Sequence, residues 1–222
     1  MGRIPFRVYD FFAYLASGAV LVFAWDWLYG SRVELGGSMP NYLLALAVLV
    51  SYIVGHAASH ASAFLFESLV VRRLLGTPSR LLMGAAAPRR LRWISPGYYQ
   101  PLDAATRERI VRKAAAAGLP DAQGEALFQL AFARLAKNQI VLGRLDEFRD
   151  IYGFARNSAF AFLAVAAAMM TSRLAGGAQS PLGWIITSAG LGIVLFYRYL
   201  KFFRQYAYHL LVVFSDDDAE HA

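Results

Sequence analysis

Four stretches of this chain are apolar for long enough to cross a lipid bilayer, and that constrains the fold more than any other feature. A helix rises about 1.5 Å per residue, so about 20 mostly apolar residues cover the roughly 30 Å of hydrocarbon in a membrane. The stretches run from about Phe11 to Tyr29, Tyr42 to Phe66, Ser158 to Thr171 and Leu182 to Tyr199. The third is short, but the helix expected before it can extend it. Composition agrees: 58% of the 222 residues are apolar and 17% are charged, against roughly 45–50% and roughly 25% in soluble domains. No convincing strand, repeat or low-complexity tract interrupts the series. The chain reads as an all-α polytopic membrane protein.

Arg3 and Arg7 precede the first stretch, as they would a signal peptide. The stretch is long for a signal's apolar region, and no small-residue cleavage site follows it. Trp25, Trp27 and Tyr29 look instead like an interfacial aromatic belt, so a retained span is expected.

The net charge of +7 has a side. Segments 1–10, 72–156 and 198–222 hold 20 of the 22 Lys and Arg, while the two short connections hold only Arg32 and Arg173. Lys and Arg collect on the cytoplasmic side of a membrane. Both termini and the middle segment are therefore expected in the cytoplasm. Residues 1–71 become a first transmembrane hairpin, 72–156 a basic helical cytoplasmic domain, 157–200 a second hairpin, and 201–222 a cytoplasmic C-terminal helix with an acidic tail.

The middle segment divides by composition. From Arg72 to Trp93, arginines mix with Gly76, Pro78, Gly84 and Pro88, which predicts irregular chain close to the bilayer. Ser95, Pro96 and Gly97 mark a turn. Asp103 suits the N-cap of a helix from Ala104 to about Ala117, ended by Gly118 and Pro120. A second helix opens near Asp121, with Leu127, Leu130, Ala131, Phe132 and Leu135 as its apolar face. Val141, Leu145, Phe148 and Tyr152 recur at helical spacing, and only Gly143 and Gly153 interrupt a helix running from Ala136 towards Ala168. After the fourth span, Arg198, Lys201 and Arg204 alternate with aromatic rings, as at a lipid interface. Leu210 to Phe214 are expected to pack on the cytoplasmic domain, and Asp216–Asp218 with Glu220 to be solvated.

Chemistry-bearing residues are few. There is no cysteine, which excludes disulfides, thiolate catalysis and iron–sulfur ligation. The second span carries Tyr52, His56, Ser59, His60 and Glu67. At 100° per residue, His60 lies about 40° and Glu67 about 20° from His56, so one face presents two imidazoles and a carboxylate. Ionisable groups in a span are costly and face protein or water. Three readings stay open: bonding to other helices or another subunit, a hydrated or proton-linked path through a small channel or transporter, and an intramembrane metal enzyme. His at i and i+4 is a ligand spacing, but Ala57 stands where a zincin has its glutamate. No ligand set, catalytic residue or cofactor is assigned.

Small residues at four-residue intervals, Gly55, Ser59 and Ala63, let another helix approach closely. Ala13 and Ser17 on the first span, and Ser188 and Gly192 on the fourth, offer matching surfaces. Asp26 reads as an interfacial carboxylate, with a pore-mouth charge as the alternative. Arg156, next to Asn157 at the start of the third span, reads as an anchor at phosphate level. Arg80, Arg89, Arg90 and Arg92, near Trp93, Tyr98 and Tyr99, suit anionic lipid, a solvated or protein-bound surface, or a nucleotide or nucleic acid. No phosphate-binding loop frames the last reading.

Three segments carry a family likeness. Tyr-Asp-Phe-Phe at 9–12, Gly-His-Ala-Ala-Ser-His at 55–60 leading to Glu67, and Tyr-Gly-Phe-Ala-Arg-Asn at 152–157 resemble small four-span bacterial membrane proteins that accompany anti-phage defence genes. The membrane component of the Kiwa system is similar in size and layout. The resemblance implies a bacterial inner membrane and a defence setting, and assigns no role to any residue. Together the expectations describe a non-enzymatic, homo-oligomeric membrane protein. Its cytoplasmic helices would bind a protein partner or signal, and it would sense or perturb the bilayer.

Overall fold

The computed structural model of the protein describes residues 8–29, 40–86, 95–120, 123–176 and 181–216. Among them the chain is helical and holds no strand. The helices are α1 (Val8–Tyr29), α2 (Asn41–Ser62), a π-helix π1 (Ala63–Leu75), α3 (Pro78–Leu82), a 3-10 turn (Pro96–Tyr99), α4 (Ala104–Ala116), α5 (Gly124–Leu135), α6 (Gln139–Leu174) and α7 (Leu182–Asp216). Four are long and apolar enough to span a membrane: α1, α2 with its continuation, α6 and α7. That is the make-up of a multi-pass membrane protein.

The spanning helices outrun their apolar stretches. The second was expected to end at Phe66, but its helix continues as π1 to Leu75. In π1 each N–H reaches back five residues instead of four, and the pattern closes with Gly76 N–H on the Val71 carbonyl at 2.7 Å. Gly76 then takes φ +88, a left-handed conformation that stops a helix and suits glycine. α6 has 36 residues and α7 has 35, each above 50 Å at about 1.5 Å per residue. The helix expected from Ala136 towards Ala168 starts at Gln139 and runs unbroken to Leu174, past Gly143 and Gly153; α5 ends before it, at Leu135. Asn138 Oδ1 accepts from the backbone N–H groups of Ile140 at 3.1 Å and Val141 at 3.2 Å, capping α6. α5 opens at Gly124, and Asp121 lies outside the described residues.

The described chain forms two compact units, Met1–Phe66 with Gly153–Tyr199, and Glu67–Tyr152 with Leu200–Ala222. In the first, α1 and α2 touch backbone to backbone. A Cβ on Gly18 would sit 1.7 Å from the Ser51 carbonyl oxygen, and one on Gly55 would sit 1.9 Å from that of Tyr14. Glycine permits this approach, which gains van der Waals contact where lipid offers no hydrophobic drive. Ser17 turns its hydroxyl back onto the Ala13 carbonyl at 3.0 Å, so no polar atom is stranded in the packed face. Val165, Met169 and Ile185 pack with Val20, Leu21, Ala24 and Leu28. Phe23, Trp25, Trp27, Leu44 and Val194 are exposed, an apolar exterior suited to lipid.

The second unit has a hydrophobic core of its own. Leu82, Leu102, Ile110, Leu127, Leu135, Leu145, Leu210, Leu211 and Phe214 are buried together. Asp103 caps α4 by accepting from Thr106 N–H at 2.9 Å. The Tyr98 hydroxyl donates to the Gly76 carbonyl at 2.9 Å, tying the 3-10 turn to the end of π1, and burial pushes the Tyr98 phenol well above its usual range. α4 also holds the end of α7. Lys113 donates to the Phe214 carbonyl at 2.9 Å and lies over the Phe214 ring. Arg109 reaches Asp216 at 3.4 Å. Cations at a helix C-terminus meet its partial negative charge.

Candidate functional site

The polar residues of span two have different surroundings. His56 stacks on Tyr14 of α1 with ring centres 4.0 Å apart and meets Tyr52 edge-on at 4.7 Å. Tyr52 also lies against Phe11 at 5.2 Å. His60 is exposed, and its Nδ1 lies 3.0 Å from the His56 carbonyl of its own helix. Ser59 turns to α6. Glu67 belongs to the second unit, and it lies in the π-helix that begins at Ala63, where the stepping is no longer the 100° of an α-helix. The structure thus joins Tyr52 to His56, and leaves Ser59, His60 and Glu67 in three other environments. Among the described residues, no three His, Asp or Glu gather in a way that could hold a metal ion.

Ser59 opens onto the first of two sites. Arg156 of α6 donates from Nη2 to Ser59 Oγ at 3.2 Å and from Nε to Ser62 Oγ at 3.2 Å. Ser62 Oγ lies 2.8 Å from Asn157 Oδ1 and 2.9 Å from the Ser59 carbonyl, so its one proton is shared. Asn157 Oδ1 also accepts from both Arg156 nitrogens, at 3.3 and 3.2 Å. Ser62 and Asn157 are buried. Arg156, expected as a phosphate anchor, therefore makes a polar tie between α2 and α6. Spacing along one helix could not show it, since its partners lie more than ninety residues away. Paired hydroxyls at 59 and 62 facing an Arg-Asn pair were the only signal.

The small-residue positions have close neighbours. Gly55 abuts Tyr14, Ser188 is buried, and a Cβ on Gly192 would meet Leu163 at 2.6 Å. Ala63 is half-buried. Beside them, α1, α2 and α6 line an open cavity of about 410 Å³, with Leu21, Trp25, Val54 and Val165 among its apolar walls.

The second site is an open cavity of about 230 Å³ in the second unit, lined among others by Glu67, Arg72, Thr77, Ser79 and Glu125; Arg72 and Glu125 are exposed, and Glu125 accepts from Gln129 Nε2 at 3.1 Å. Four aromatic rings, Phe128, Tyr152, Phe203 and Tyr206, complete the wall. Arg80 lies nearby, where a Cβ on Gly124 would come 2.8 Å from its Cγ. The other expected anion-contact residues, Arg89, Arg90 and Arg92, lie outside the described residues.

No known protein family matches this sequence, and no curated protein or solved structure is similar to it.

Proposed function

We propose that this chain is a non-enzymatic, homo-oligomeric protein of a bacterial inner membrane that senses or perturbs the bilayer in anti-phage defence. In this reading the four apolar helices form two transmembrane hairpins. Both termini and the second unit lie in the cytoplasm, where the helices receive a protein partner or signal.

One observation carries the proposal. α6 gives Val141 and Leu145 to the core of the second unit, and Ala155, Ala159 and Val165 to the buried face of the first. α7 does the same with Leu210, Leu211 and Phe214 on one side and Ile185 and Tyr199 on the other. A helix is stiff along its axis, so a change of packing at one end biases the other wherever two arrangements exist. The hairpin reading is supported by register: Tyr14 meets Gly55 while Gly18 meets Ser51, so α1 and α2 run in opposite directions. The distribution of Lys and Arg supports the cytoplasmic assignment. The defence setting rests on the resemblance of residues 9–12, 55–60 and 152–157. The homo-oligomer follows from the small number of spans, which leave one subunit little room to disturb a bilayer alone.

The test has three readouts. A reporter fused near residue 120 is expected to be active in the cytoplasm. The detergent-solubilised protein is expected at a multiple of the 24.5 kDa chain mass. Cells carrying the gene with its neighbours are expected to resist phage, and to lose resistance when it is deleted. A periplasmic reporter, a strict monomer or unchanged resistance would each overturn the corresponding part.

A further inference from the structure

The open cavity of the first unit lies between α1, α2 and α6, three of the helices long and apolar enough to span a membrane. It exists because α6 brings short side chains to it. Ala164 and Ala168 stand about one turn apart, while α1 supplies Leu21, Trp25 and Leu28 and α2 supplies Val50. Among the described residues no charged side chain lines the space. A polar guest would lose its water there and find no partner, whereas hydrocarbon loses nothing. Left empty, the space would forfeit dispersion contacts along every wall.

Length and width narrow the guest further. The α1 wall runs from Leu21 to Tyr29, about 12 Å of helix. One leaflet contributes roughly 15 Å of hydrocarbon, half of the bilayer core, so the groove is about one leaflet deep. At one end the rings of Trp25 and Tyr29 lie 4.3 Å apart, and both are exposed. Trp and Tyr settle where hydrocarbon meets headgroups, which marks this end as the interfacial one. Trp25 and Val50 belong to the wall and are also exposed, so the groove is continuous with the apolar exterior that meets lipid. A helix of a second copy is about 10 Å across and over the same length would fill roughly 900 Å³. That is more than twice the 410 Å³ of the cavity. A hydrocarbon chain, one carbon wide, fits.

We propose that this groove holds one acyl chain of a phospholipid, inserted from the leaflet at the Tyr29 end, with the headgroup beyond the Trp25–Tyr29 pair. The chain completes the packing of α1, α2 and α6, so this phospholipid stays when the freely exchanging lipid around it leaves. The site rests on the membrane-spanning character of the three helices. It is independent of the defence setting and of which face of the membrane is cytoplasmic.

Fluorescence of the full chain tests the site. The protein is reconstituted in phosphatidylcholine with brominated acyl chains, then extracted in mild detergent and washed. Bromine quenches tryptophan only at close range. One of the four tryptophans is kept at a time and the others are replaced by Phe. Trp27 stands about 160° round the helix from Trp25 and does not line the groove, so it is the control at similar depth. After washing, Trp25 is expected to stay quenched and Trp27 to recover, with one phosphatidylcholine per chain in the native mass. Ala164→Leu combined with Ala168→Leu fills the groove and should abolish both the bound lipid and the quenching of Trp25. Should that variant fail to fold, Val50→Phe, at an exposed position of α2, fills the space from another wall. Recovery of Trp25 together with Trp27, no phospholipid in the mass of the folded parent, or equal retention by a folded filled variant overturns the proposal. A multimer that shields Trp25 without phospholipid assigns the groove to a second copy and overturns it too. Protein that never enters the bilayers overturns the membrane reading itself, whereas protein that enters and keeps no lipid overturns only this site.

Discussion

Arg156 Nη2 and Ser59 Oγ lie 3.2 Å apart, joining α6 to α2 at the edge of their apolar stretches. The contact belongs to a polar set in which Ser62 and Asn157 are buried and bonded to Arg156 and to each other. Removing one member of a buried polar set strands the rest. Asn157→Leu is expected to lower the stability of the detergent-solubilised protein by about 1–3 kcal/mol, measured by thermal unfolding. A variant as stable as the parent would show that water replaces the amide at no cost.

The glycines of α1 and α2 provide a second test with an internal control. Gly18→Ala and Gly55→Ala put a methyl group into opposing backbone, where nothing flexible can yield. Each is expected to cost at least the roughly 1–3 kcal/mol of an overpacked site. Gly190 sits in α7 with open space around its Cβ position, so Gly190→Ala should be neutral or stabilise by up to about 1 kcal/mol. Melting temperatures of the three variants should separate in that order.

Asp103 makes stability depend on pH in acid. Hydrogen bonding from Thr106 holds its carboxyl below the ordinary value of 3.8. The unfolded chain therefore takes up the proton first as pH falls, and the contribution of the cap is whole above the ordinary value and lost as pH drops through the folded one. Asp103→Asn keeps a capping oxygen but removes the titration. Unfolding followed from pH 2 to pH 6 (about the range in which carboxylates titrate) should show a shallower acid limb in the variant.

His56 stacks on Tyr14, and His60 is exposed beside a carbonyl of its own helix. A packing role predicts that His56→Ala loses about 0.5–1.5 kcal/mol of aromatic contact. The double variant with His60→Ala should leave proton flux through liposomes at the parent level. Flux present in the parent and abolished in the double variant would favour the transporter over the sensor.

What the sequence made legible, and what it did not, follows from the range of the interactions. The four apolar helices are written in composition. The Asp103 cap and the buried side of Leu127, Ala131 and Leu135 are written in local spacing. The long helix into the third apolar stretch is legible too, since no breaker other than Gly143 and Gly153 stands between Ala136 and Ala168, and Asn138 supplies its cap. The π-helical stretch left no mark, because a bond to the fifth residue rather than the fourth changes no residue type. Glu67 lies within it, so extrapolation at 100° per residue does not place Glu67 relative to His56. The Arg156 network and the ringed cavity needed partners far along the chain, and no periodicity carries that information.

Because Ala155 and Val165 are both buried within the first unit on one unbroken helix, α6, its length between them is not free to drift. One inserted residue would turn every later side chain by about 100° relative to every earlier one, exposing Ala155 or Val165. Seven would bring them back to within about 20°. Lineages of this protein should therefore gain and lose residues in its connecting turns, while this stretch of α6 keeps its count or changes by whole pairs of turns.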